Sequence, residues 1–136
     1  DHMLAEVSIL RQTQSRIAKG TPFYVGEEAF ARRYSLRPGR TELEDLGQLN
    51  KDDIEAIGLK IVEVKDPTQI IPGAYMSGDM ERVTTYEKVA PTYYIKRGEK
   101  IEADDLRSEQ SLFFNVKGKG LLVISRVVSS LFCKFS

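Results

Sequence analysis

The chain has a single histidine, His2, a single cysteine, Cys133, and no tryptophan. One cysteine excludes an internal disulfide, and it cannot build a multi-cysteine zinc or iron site. His2 sits in an Asp1-His2-Met3 start that reads as a cloning remnant, so the remaining residues cannot assemble a Ser-His-Asp or Cys-His arrangement. An excess of one charge is also missing. Lys plus Arg and Asp plus Glu are 20 each, so nothing draws the whole chain to nucleic acid or anionic lipid. The local exception, Arg32, Arg33, Arg37 and Arg40, is followed at once by Glu42, Glu44 and Asp45, which offset its field. No apolar run reaches the roughly 20 residues of a membrane span. Gly118-Lys119-Gly120 lacks the spaced glycines, lysine and hydroxyl of a phosphate loop and reads as a turn. Cys133, with no histidine beside it, reads as an incidental thiol. The expectation is no catalytic residue, no cofactor and no metal.

The composition of these 136 residues, 41% apolar and 29% charged, is that of one packed globular domain. Strand signals dominate. Ser8 to Ile17 shows mixed alternation and reads as extended, and Lys19-Gly20-Thr21-Pro22 turns the chain into the β-favouring Phe23-Tyr24-Val25. Glu27-Glu28 ahead of Ala29 to Tyr34 suits a short helical run, with Phe30 and Tyr34 on one face. Residues 36–60 turn polar and read as an inserted excursion. Arg37-Pro38-Gly39-Arg40 is a turn, Asn50 an N-cap for a helix over 51–57 ended by Gly58, and Leu43, Leu46, Leu49, Ile54 and Ile57 the fasteners. Leu59 to Val64 alternates as a strand, Pro72-Gly73 and Gly78-Asp79 turn, and 82–86 and 93–95 supply β-branched and aromatic strand residues. The apolar segment 121–132 fits both a helical and a strand period. The chain thus divides into the remnant at 1–3, a domain over 4–110 with its insertion at about 36–60, and a C-terminal apolar segment over 111–136. That last segment reads as a core or partner-covered element, or as a membrane-contacting tail.

Two segments repeat one grammar. Ile17, Lys19, Gly20, Phe23, the pair Glu27-Glu28 and Phe30 match Ile95, Arg97, Gly98, Ile101, the pair Asp104-Asp105 and Leu106, the first copy being longer by two. The order predicts a strand ending in a buried isoleucine, a glycine turn at positive φ, an extended resumption, and acids opening a helical turn. The second copy, Tyr94 to Ser108, resembles the signature of the SAF, or antifreeze-protein-like, family. Ile71-Pro72-Gly73-Ala74 between the copies is most similar to its CpaB/RcpC pilus-assembly branch. The resemblance covers 16–108, with poor agreement over 36–60. It implies a mainly-β, β-clip-like domain with short helical turns and one helical excursion, in which Gly20, Gly98, Pro72 and Gly73 are structural turns. It also implies a non-enzymatic adaptor in a periplasmic or extracytoplasmic pilus or secretion assembly, with other protein components as partners.

The residues themselves suggest binding. Tyr75, Tyr86 and Tyr94, with Lys96, Arg97 and Arg107, form the candidate surface, because tyrosine and arginine dominate interface hot spots and tyrosine stacks on sugars. Alternation sends Tyr93 and Tyr94 to opposite faces, so one of them at most is exposed in such a patch. A carbohydrate-binding module, or a regulatory domain of a larger sugar-acid enzyme, is the alternative.

Overall fold

A computed structural model describes residues 2–131 apart from positions 82, 84, 87, 88, 90 and 128, with side chains described between 7 and 124. Phe132 to Ser136, and with them Cys133, lie outside the described residues.

The molecule is mainly β, as the alternation predicts. Helix α1 (His2–Thr13) and a 3-10 turn (Gln14–Arg16) precede β1 (Pro22–Val25), β2 (Arg33–Ser35), β3 (Glu44–Gly47), α2 (Lys51–Ala56) and β4 (Lys60–Glu63). Then come β5 (Thr68–Ile71), β6 (Ala74–Met76), β7 (Tyr93–Arg97), β8 (Lys100–Ala103), β9 (Gln110–Val116), β10 (Gly120–Val127) and β11 (Ser129–Leu131). They form three sheets, ordered β11-β1-β4, β10-β9-β6-β5 and β3-β2-β7-β8.

Strand β1 explains how the body is layered. Phe23 and Val25 alternate with Tyr24, and the two buried residues join Val7, Leu10, Ala29, Leu49, Ile54, Ile57 and Leu59 in one core. Tyr24 points the other way, against a second core of Val64, Ile70, Ala74, Met76 and Leu112. Parallel pairing of β1 with β4, Phe23 beside Ile61, extends this dividing sheet.

Three elements differ from the sequence expectation. Ser8 to Thr13 is helical rather than extended, because Val7 and Leu10, three apart, bury on one face of α1 against the first core. Glu27 to Phe30 forms consecutive turns instead of a helix, with Ala29 N–H donating to Gly26 and Ala31 N–H to Glu28. The end of the run, Arg33 to Ser35, pairs instead as β2 with β3 and β7. The described residues of 81–89 belong to no strand, and Val83 and Tyr86 are 78% and 82% exposed. Among the described residues no strand pairs with this segment, so Val83 and Thr85 gain nothing from their β propensity. The 36–60 excursion packs on the body. β3 pairs with β2, and Leu49, Ile54 and Ile57 bury in the first core, while Leu43 stays largely exposed and Leu46 half-buried. The cap holds as expected: Asn50 Oδ1 accepts from Asp52 N–H at 2.9 Å. The ambiguous segment is strand, paired with β9 as β10 and with β1 as β11.

Candidate functional site

Both predicted glycine turns are present, at φ +82° for Gly20 and +60° for Gly98, a region closed to most side chains. The second copy follows its expected plan closely. Ile95 is fully buried on β7, Gly98 turns the β7–β8 hairpin, and the chain resumes extended as β8. In the first copy the turn follows α1 instead of a strand, and Ile17 is only partly buried. Neither acidic pair opens a helix. Asp104 Oδ1 accepts from Leu106 N–H at 2.9 Å, and Leu106 itself sits at φ +50°.

The two copies meet through their acids. Glu28 of the first and Asp104 and Asp105 of the second bring carboxylate oxygens within 4.8 Å of one another. Left alone, three such charges would repel strongly, and arginines hold them together. Arg97 donates to both oxygens of Glu28, at 2.6 and 2.9 Å, and further to Glu102 at 2.7 Å and Asp105 at 2.9 Å. Arg33, only 9% exposed, donates to Asp104 Oδ2 at 2.9 Å, to the Glu28 carbonyl at 3.0 Å and to Ser108 Oγ at 3.2 Å. Its planar fork thus ties the backbone of one copy to the side chains of the other. Arg107 adds ion pairs to Glu28 at 3.7 Å and Asp105 at 3.4 Å.

The electrostatics follow from these partners. The hydrogen bonds that Arg97 donates to Glu28 first, then those to Glu102 and Asp105, outweigh desolvation and push the Arg97 pKa up. Burial works to raise Asp105, but the Arg97 hydrogen bond and the Arg107 charge overcome it and hold the carboxyl below its usual range. Asp79, at the rim, shows the reverse. Desolvation and then the charge of Glu27 push its pKa up, against smaller opposing pulls from Lys65 and Arg107, and its buried Oδ1 has no hydrogen-bond partner.

Of the sequence-predicted residues, the fold brings Arg97 and Arg107 together at this junction, Arg97 half-buried among carboxylates and Arg107 exposed beside them. Tyr94 and Lys96 share the opposite face of β7, Tyr94 beside Tyr34 and Lys96 beside Ile101, with Lys96 also 3.8 Å from Glu99. Tyr75 stands in another sheet, 44% exposed beside Phe113, and Tyr86 on the 81–89 segment. Of the pair Tyr93 and Tyr94, Tyr93 is the exposed member, at 43%. The six residues therefore belong to several separate places. Glu28, Arg33 and Asp104 were missed as a unit, although the repeated acids of the two copies carried the signal. Two members of the arginine run are spent locally, Arg32 on Asp45 and Arg37 on Glu44.

No family model and no curated protein matches the chain. Among solved structures, it is similar to one described as Tm1679, a metal-dependent hydrolase of the beta-lactamase superfamily, at a TM-score of 0.60 and 19% identity. The match covers 79% of this chain and 38% of that one. At this identity the likeness concerns fold alone.

Proposed function

We propose that this chain is a non-catalytic, strand-rich module of a larger architecture laid out like a beta-lactamase-superfamily hydrolase, and that it works by docking against the polypeptide that completes it. The observation carrying this reading is the asymmetric likeness: most of this chain aligns with well under half of the hydrolase. Among the described residues the one group of donors at metal-binding separation is Glu28, Asp104 and Asp105. Arg33, Arg97 and Arg107 already neutralise it from within hydrogen-bond or ion-pair distance, and it contains neither imidazole nor thiolate. These residues do not fit a catalytic metal.

A second reading has its own support. The two glycine-turn units converge on one arginine network, as expected if they form a single SAF-like unit, and Tyr86, Tyr93 and Val83 lie open for a partner. That favours the envelope adaptor acting by protein binding, with a glycan as the alternative ligand. No helix among the described residues is long and apolar enough to cross a membrane.

Affinity capture from source cells, followed by identification of the bound polypeptides, separates the readings. Recovery of a metal-binding hydrolase-like polypeptide supports the first. Recovery of envelope assembly components, reduced by Tyr86→Ala, replaces it with the adaptor. Saturable signal on a glycan array without any protein partner overturns both.

A further inference from the structure

Strand β10 is apolar where a sheet edge is normally guarded. It ends the sheet β10-β9-β6-β5, with no strand on its outer side among the described residues. Leu121, Leu122, Val123 and Ile124 are 66%, 52%, 48% and 44% exposed. Successive residues point to opposite faces, so both faces of the strand are bare as well as its edge. On one face the bare surface continues inward from Val123 through Phe113 to Tyr75, and on the other Leu122 lies beside Phe114. Residues 120–125 include no lysine, proline or inward charge of the kind that blunts edges. Basic residues bracket the apolar run instead, Lys117 and Lys119 before it and Arg126 after it.

That bracketing selects the occupant. In an antiparallel pairing of two copies along this edge, the end of one that carries Lys117 and Lys119 comes to the end of the other that carries Arg126, so basic residues meet at both ends. A second copy is therefore disfavoured, and a strand with carboxylates flanking an apolar centre is favoured by the same geometry.

We propose that β10 is a strand-addition site, which takes an extended segment with an apolar centre and acidic flanks supplied from outside this chain. The segment would hydrogen-bond along the β10 edge and let its own layer cover Leu121 to Ile124. The proposal deepens the docking reading above by naming its surface.

The test uses the full chain and two terminally blocked peptides with the same Thr-Val-Thr-Val-Thr-Val centre, one flanked by two glutamates at each end and one by two lysines. Fluorescence anisotropy should show saturable binding of the acidic peptide, at least tenfold tighter than the basic one and weakened by salt. Amide hydrogen exchange should slow over 121–125, and Val123→Lys should abolish binding while circular dichroism stays unchanged. Leu122→Lys serves as the second variant if Val123→Lys does not fold. Equal binding of both peptides, or no exchange protection in β10, sinks the proposal. So does light scattering that finds a dimer with β10 already protected, since a second copy is then the occupant. If cellular capture still recovers a partner with Val123→Lys, the docking reading survives and the β10 site does not.

Discussion

The Glu28–Arg33–Arg97–Asp104 junction and the β10 edge invert the usual distribution of polarity. At the junction, side chains that read as surface charge are buried or half-buried and answer one another. Arg33 and Asp104 are 9% and 3% exposed. On β10, side chains that read as core stand open at 44% exposure or more. The difference teaches that charge identity did not decide position here, and partners did. A carboxylate that gains a guanidinium within 3 Å keeps its ionised form away from water, whereas an apolar strand with only one neighbouring strand cannot bury itself.

The comparison breaks most sharply at Arg33. Arg33→Ala strands Asp104 as a buried charge without its partner and should cost about 3–5 kcal/mol; urea unfolding that shows less than about 1 kcal/mol would mean that the junction is not cement. Arg97→Ala removes a bidentate pair to Glu28 at a quarter-exposed site, and a loss of about 2 kcal/mol in the same experiment is expected. Gly26→Ala probes the close approach beside the junction. A Cβ there would lie 2.6 Å from the Ser108 carbonyl oxygen, so a loss of about 1–2 kcal/mol in thermal unfolding should follow from forced backbone movement.

A smaller, pH-dependent effect is expected at Asp79. Its folded pKa is raised, so its ionised form weakens the native state at neutral pH, and this weakening is relieved as pH falls through the raised value. Asp105 has the opposite sign. Its folded pKa is depressed, so its contribution is present above the unfolded carboxylate range near about 4 and is lost as pH falls through the depressed value. Asp79→Asn should therefore raise the melting temperature at about pH 7 and lose that advantage toward about pH 4; an advantage that grows on acidification contradicts this assignment. The smallest effect on stability should come from β10. Leu121→Ser should change unfolding free energy by no more than about 0.5 kcal/mol, and a larger loss would show that β10 is internal support and erase the contrast.

Much of the fold was legible because the local rules needed no distant information. Asn50 caps α2, Pro72-Gly73 joins β5 to β6, and Leu59 to Val64 alternates into β4. Less was legible in the site. The repeated acids of the two glycine-turn copies were visible, yet Arg97 read as an exposed contact because nothing local reveals that Glu28, 69 residues away, will close on it. Arg33 was hidden within a basic run in which Arg32 and Arg37 pair nearby.

The sequence by itself determined the strand-rich class, the positive-φ turns at Gly20 and Gly98 and the helix cap, since each follows from residue geometry within a few positions. Tertiary structure alone decided that 8–13 is helix, that 121–127 is strand and that the two acidic pairs share arginines. The reason is physical: a period that fits helix and strand alike is settled by the surface it packs against, and a charge is settled by the partner that the fold delivers.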